Sequence, residues 1–364
     1  TTPDDLLLSV MSATLDRTGL DPSRIQDIAV GNVQLSGAYA GPARMAALRA
    51  GIPETVPLYT LNRQCSSGLQ AVANIAQSIS AGTISIGIAA GVESMSMGGG
   101  VADPSNIPPA NYEAVMEHEG AAQCLTPMGT TAENVAERFG ITREEQDHMA
   151  VASHSKALAA QASGKFEAEI VPVKVALEDG SSLVVTKDEG PRAGTTLEVL
   201  RKLKPVFKPQ GSVTAGTSSQ VSDGAAAVLL MSRAKATELG YKPIGKLRSY
   251  QVVGCAPDVM GIGPAVAIPA ALQAANLPIS AVDVFEINEA FASQAAYCVK
   301  KLGIPLEKVN PNGGAIALGH PLGCTGARQV GTLLHELQRT KKRYGVVSMC
   351  IGTGMGAAAV FEAE

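Results

Sequence analysis

Three residues far apart in the chain could share one piece of chemistry: Cys65, His320 and Cys350. Cys65 stands in Asn62-Arg63-Gln64-Cys65-Ser66-Ser67-Gly68, after a short β-like run, Val56 to Leu61. Leu69, Val72, Ile75, Ala76 and Ile79 then recur at helical spacing until Gly82. That pattern places Cys65 in the first turn of a helix, where free backbone N–H groups and the positive dipole end favour a thiolate nucleophile. His320 lies in Gly319-His320-Pro321, a rigid turn from which an imidazole could take the thiol proton. Cys350 precedes Ile351-Gly352-Thr353-Gly354, whose backbone N–H groups are free to converge on an oxyanion. A nucleophilic thiol, a base and a second thiol suit a carbon–carbon bond made or broken beside a thioester. Asn288 and Glu289 end another strand, where ligand-facing residues of parallel sheets collect. Taken singly, each has a plain structural role, as a packed cysteine, a hydrogen-bonded turn histidine or a helix N-cap. The trio in glycine-flanked settings is what points to chemistry. Cys124 is a further candidate, as an oxidation partner of Cys65.

The elements that must carry these residues occur twice. A helix from Leu6 to Thr18, a turn and the strand Asp27 to Asn32 are echoed by a helix from Ala265 to Ala275, a turn and the strand Asp283 to Asn288. The Cys65 helix and the strand Ile84 to Ala90, ending in Gly91-Val92-Glu93-Ser94, are echoed by a helix from Gly326 to Gln338 and the strand Tyr344 to Cys350. The offset stays at roughly 256–260 residues, one internal duplication rather than a solenoid. Strands alternating with helices predict mainly parallel sheets covered on both faces. The second half opens with an extra strand, Ile244 to Val253, whose counterpart would precede Asp4, and loss of upstream residues is the expectation here. Residues 98–112 are rich in Gly, Pro, Asn and Ala and read as a loop. Helices from Thr131 to Phe139 and Arg143 to Ser163 follow. A strand pair comes next, 171–175 and 183–186, joined by Glu178-Asp179-Gly180. The domains are therefore 1–97 with 221–243, an inserted flap over 98–220, and 244–364. The first half resumes with 224–230 as a buried strand.

Composition narrows the class. The 364 residues are 46% hydrophobic and 17% charged with a net charge of −4, which leaves no electrostatic footprint for nucleic acid. Aromatics at 4% and no tryptophan exclude a base-stacking platform. No apolar run reaches the ~20 residues of a membrane span, and neither end reads as a targeting signal. Six cysteines without a C-x-x-C pair or His–Cys ligand spacing predict no metal site and a reducing compartment.

The motifs converge on one family. NRQCSSGLQAV at 62–72, GVESMS at 91–96, PMGTTAENVAERFG at 127–140 and TAGTSSQVSDGAAAVLLM at 214–231 match it in order. So do MGIGPAVAIP at 260–269, FEINEAFASQAAYC at 285–298, NGGAIALGHPLGCTGARQV at 312–330 and VVSMCIGTGMGAAAVFE at 346–362. The chain resembles the thiolases over nearly its whole length, most of all their peroxisomal 3-ketoacyl-CoA branch. The resemblance implies two α/β halves stacked as a five-layer αβαβα sandwich with an inserted loop domain. It implies thiolytic cleavage of 3-ketoacyl-CoA to acetyl-CoA and a shortened acyl-CoA in fatty-acid β-oxidation. Coenzyme A is then a co-substrate, with no resident cofactor and no metal.

Carried onto this chain, the resemblance makes Cys65 the acyl-holding nucleophile and His320 the base for Cys65 and for the CoA thiol. Cys350 becomes the acid that protonates the acetyl-CoA carbanion. Asn288, through a water, joins His320 around the enolate oxygen, and the N–H groups of Cys65 and Gly352 form a second oxyanion hole. Ser219 would meet the pantetheine, Arg192 and Phe207 the nucleotide end, and Met128 with Phe291 the tunnel. A homodimer in the peroxisome is the implied setting. The neighbouring readings are an acetoacetyl-CoA thiolase and, from another class, an inactive thiolase-like lipid-binding scaffold, which should have lost one of the four catalytic residues. A ketosynthase would bring a second histidine to the cysteine, and only His320 has a matching context.

Overall fold

The computed structural model describes residues 1–97, 110–177 and 179–364. Most of the loop expected over 98–112, and Glu178 in the hairpin turn, lie outside the described residues.

Two four-stranded sheets form the frame. The first contains β1 (Asp27–Gly31), β2 (Leu58–Leu61), β3 (Ile86–Ser94) and, after the insertion, β6 (Asp223–Met231), in the order β2-β1-β3-β6. Its strands are parallel except β6, which runs antiparallel to β3. The second contains β7 (Gly245–Gly254), β8 (Val284–Ile287), β9 (Tyr344–Ile351) and β10 (Met355–Ala363), in the order β7-β10-β9-β8. Here β8 and β9 are parallel and β10 is antiparallel to both its neighbours. Between the sheets in sequence, β4 (Val173–Ala176) and β5 (Ser182–Val185) make a separate antiparallel hairpin.

Helices fill three layers around the sheets. The helix Pro3–Thr18 starts on a proline in its first turn and stops at Gly19 in the left-handed region. Its Leu7, Met11 and Leu15, spaced by four, share one buried face and pack with the helix Ala40–Arg49 over the outer side of the first sheet. Against the outer side of the second sheet, the helix Gly263–Ala275 buries Ala267, Ile268, Ala271 and Leu272 with Ile287, Val346 and Val360. The central layer is a pair of helices, Ser67–Ser80 and Leu322–Thr340, in one apolar cluster with both sheets. Helix, sheet, helix pair, sheet and helix make the five layers.

Three details differ from expectation. The stretch Pro257–Ala275 is long and apolar enough to cross a membrane by composition, and its apolar residues instead face the core of the second half. β6 is half-buried along most of its length rather than fully buried. Its outer edge carries no strand among the described residues, whereas the equivalent edge of β10 is covered by β7. β10 and the helix Ala40–Arg49 have no clear signature in the sequence; both are rich in Ala, which carries no period.

Candidate active site

Cys65 is set by a tight turn. The helix begins at Ser67 with Ser66 as its N-cap, so Cys65 lies one residue ahead of the cap rather than in the first turn. Gln64 takes the left-handed region at φ 47°, a conformation that costs a non-glycine residue on the order of 1–2 kcal/mol. Ser67 holds it there: its Oγ accepts the Arg63 N–H at 2.9 Å and donates to the Gln64 carbonyl at 2.7 Å. The Gln64 N–H donates to Asn62 Oδ1 at 2.8 Å.

His320 is placed by the other central helix. Gly68 and Gly326 bring the two helices into backbone contact: a Cβ on Gly68 would stand 2.7 Å from the Gly323 carbonyl, and one on Gly326 would stand 2.2 Å from the Leu69 nitrogen. The crossing therefore lies just inside both helix starts. The two turns that precede them, with Cys65 and His320, flank the same point. The His320 N–H donates to Ser222 Oγ at 3.1 Å, and that hydroxyl donates to the Gln220 carbonyl at 2.7 Å. Glu93, fully buried at the end of β3, accepts N–H groups of Val33, Gln34 and Gly323 at 3.0–3.1 Å. It ties the first half to the start of the His320 helix.

Asn288 follows β8, and its N–H donates to the Ser348 carbonyl at 2.9 Å. Its Nδ2 is 3.2 Å from His320 Nε2, and its buried Oδ1 has no hydrogen-bond partner among the described residues. Cys350, fully buried near the end of β9, packs with Met260, Ala290, Met128 and Phe291. Beyond it the chain turns through Thr353 and Gly354, both with positive φ, and the Gly352 N–H reaches the Cys65 sulfur.

Burial decides the protonation states. It pushes the Cys65 thiol up to about 11, against the lowering by the N–H groups of Gly352 and of Cys65 itself. The expected place in the first helical turn is thus corrected: Cys65 lies outside the helix, where burial opposes two N–H donors. Burial, with the Arg328 charge, lowers His320 to about 3. Cys350 is raised well above the usual thiol range by burial, with Cys65 adding to it. Burial thus favours the neutral form of both thiols and of the imidazole.

The residues expected on the ligand path are partly gathered. Phe207 and Phe291 meet edge to face at 5.9 Å, and Met128 and Phe291 both pack against the cluster that holds Cys350. The Ser219 N–H donates to Ala290 at 2.9 Å, beside the same cluster. Arg192 stands on the wall of a cavity of about 880 Å³ along β6, with its N–H on His154 Nδ1. Cys124 Sγ is 3.8 Å from the Thr353 carbonyl, next to Gly352. Among the described residues no group of His, Cys, Asp and Glu is arranged to hold a metal ion. Sequence reasoning gave no role to Glu93 or Ser222. An acid in the otherwise apolar strand Ile86–Ser94 was the one available signal.

The models of the thiolase N-terminal domain and of the thiolase C-terminal domain match residues 1–234 and 241–363. The chain belongs to the thiolase family. It is similar to the peroxisomal 3-ketoacyl-CoA thiolase A of Mus musculus, 64% identical over 367 residues, covering 100% of this chain and 85% of the relative. The peroxisomal 3-ketoacyl-CoA thiolase of Homo sapiens is 64% identical over 368 residues, with the same coverage. In three dimensions the chain is similar to the dimeric peroxisomal thiolase of Saccharomyces cerevisiae. The TM-score is 0.92 and the identity 49%, over 100% of this chain and 92% of that one.

Proposed function

We propose that this thiolase cleaves 3-ketoacyl-CoA with coenzyme A, giving acetyl-CoA and an acyl-CoA shortened by two carbons. The observation that carries the reading is the meeting of two halves at one chamber, with Gly352 N–H on the Cys65 sulfur and Asn288 on His320. In the first half-reaction the Cys65 proton passes to His320 and the sulfur attacks the keto carbon. The bond between that carbon and the next one breaks, leaving an acyl thioester on Cys65 and the enolate of acetyl-CoA. Cys350 gives its proton to the enolate carbon, and the proton held by His320 restores Cys350. In the second, the CoA thiol gives its proton to His320, its sulfur attacks the thioester, and Cys65 departs and recovers the proton.

The oxyanions have ready donors. The N–H groups of Cys65 and Gly352 serve the oxygen formed at the attacked carbon, and His320 with Asn288 serves the enolate oxygen. Each donor of this kind is worth about 2.7–4 kcal/mol of barrier. Coenzyme A is a substrate rather than a resident cofactor. Ser219, Phe207, Met128, Phe291 and Arg192 are its proposed contacts. High identity to peroxisomal relatives and likeness to a dimeric structure support a homodimer in the peroxisome. Oxidative pairing of Cys124 with Cys65 belongs to the same reading, and peptide mapping after peroxide that found both thiols free would end it.

The test is CoA-dependent cleavage across 3-ketoacyl chain lengths with acetyl-CoA detected by mass. Turnover confined to acetoacetyl-CoA would replace this reading with the short-chain one. A labelled acyl group recovered on a residue other than Cys65 would refute the mechanism.

A further inference from the structure

Thr325 lies fully buried in the first turns of the helix Leu322–Thr340, and its hydroxyl touches two groups. Oγ1 is 2.7 Å from His320 Nδ1 and 3.1 Å from the carbonyl of Pro321, four residues back. A hydroxyl has one proton to give. Threonines inside helices commonly give their proton to such a carbonyl, here one that also accepts the N–H groups of Cys324 and Thr325. With the proton there, the oxygen presents lone pairs to His320, and Nδ1 is the nitrogen that carries hydrogen. Asn288 Nδ2 lies at nearly the same distance from both ring nitrogens, 3.2 Å from Nε2 and 3.5 Å from Nδ1, so it does not commit the Nε2 lone pair.

We infer that Thr325 is a positioning residue that holds neutral His320 as the Nδ1–H tautomer, so that Nε2 is the free base facing the chamber. The inference rests on the reading of His320 as the base. The alternative tautomer would present a hydrogen to the Cys65 thiol, and no proton could be taken from it. The arrangement also serves the next step. Once Nε2 has accepted the thiol proton it becomes a donor toward the enolate oxygen, while Nδ1–H stays on Thr325 throughout. No charged partner is involved. That suits a ring whose protonated form is disfavoured by burial and by Arg328; a carboxylate in place of the hydroxyl would stabilise the imidazolium too early.

The test compares Thr325→Ser, which keeps the hydroxyl, with Thr325→Val, which keeps the shape and removes it. The valine variant is expected to lose on the order of 10²-fold in kcat, within the range a general base supplies. Its KM should be unchanged, and the serine variant should stay near the parent value. The second readout needs no substrate: nitrogen NMR of protein labelled at its five histidines, with His320 assigned from a His320→Asn spectrum. Hydrogen on Nδ1 in the parent and serine proteins, and on Nε2 or shared in the valine protein, supports the role. Hydrogen on Nε2 in the parent overturns it, even if valine fails to fold. Equal loss in the serine and valine variants, or full kcat in valine, also overturns it. Failure of the cleavage reaction itself would leave the parent tautomer readable, so the two readings fall separately.

Discussion

Asn32 follows β1 of the first sheet and Asn288 follows β8 of the second, each buried and each with its peptide N–H on a neighbouring strand, Leu61 in one half and Ser348 in the other. Asn32 gives its amide to the Ala38 carbonyl at 2.6 Å and holds a loop. Asn288 turns its amide to His320 and leaves its buried Oδ1 without a partner among the described residues. The other equivalent positions diverge in the same way. The turn before one central helix carries Cys65 and the turn before the other carries His320. The end of β3 carries Glu93, bonded to three N–H groups, and the end of β9 carries Cys350. A duplicated α/β frame aims equivalent strand and helix ends at one point. The first half spends these positions on a nucleophile and its bracing, and the second on the proton-transfer groups.

The contrast is sharpest at the two cysteines. Cys65→Ala removes the group that holds the acyl chain, and the loss of kcat should be on the order of 10⁶-fold, as for other covalent nucleophiles. Cys350→Ala should abolish carbon–carbon cleavage and still let Cys65 accept an acyl group from a preformed thioester. Mass spectrometry of the intact protein after mixing with acyl-CoA checks both. Acylation of the Cys65→Ala protein, or none of the Cys350→Ala protein, would break the division between halves.

A smaller effect separates the paired asparagines. Asn288→Ala should lower kcat by about 10²–10³-fold, the usual cost of one oxyanion donor, with little change in melting temperature. Asn32→Ala should do the reverse, leaving kcat intact and costing about 1–3 kcal/mol of stability for the buried carbonyl it orphans. Steady-state kinetics beside urea unfolding distinguishes them. Equal kinetic losses would mean that Asn32 also reaches the chamber.

Much of this was legible before any coordinates. The helical spacing after Cys65, the glycine turn around His320 and the strand before Cys350 each carry a local signal, and the repeat shows that they belong to two similar frames. What stayed hidden lacks a local signal. The left-handed Gln64 is a residue type that gives no warning of positive φ. Thr325 reads as an ordinary helical threonine until His320 is placed five residues before it on the same helix entry. The edge of β6, which carries no strand among the described residues, leaves its alanines half-buried beside a cavity of about 880 Å³, which no periodicity reveals. Dipole and burial act oppositely on the Cys65 thiol, and only the three-dimensional surroundings show how deeply it is buried.

The last comparison sets two fully buried carboxylates against each other, one from each half. Glu93 is satisfied by three N–H groups, whereas neither Glu286 oxygen has a hydrogen-bond partner among the described residues and Arg328 stands 3.7 Å away. Burial raises Glu286 to about 8, only partly offset by Arg328, and raises Glu93 too, against the pull of its N–H donors. Glutamine should therefore act oppositely at the two sites. Glu93→Gln turns an amide donor toward N–H groups and should cost about 1–3 kcal/mol. Glu286→Gln imitates the protonated acid. Because the folded value lies above the unfolded one, near 4.5, Glu286 supports the fold at low pH and loses that contribution as pH rises through about 8. The parent's stability should fall across this interval by at most about 1.4 kcal/mol per pH unit from this group. Glu169, raised to about 7 by burial, adds to the lower part of that slope, so the informative window lies above pH 7. There the Glu286→Gln protein should unfold at higher urea than the parent and show a flatter pH profile. A parallel profile in the two proteins would mean that Glu286 stays ionised with Arg328, and that both halves brace their strand ends with charge.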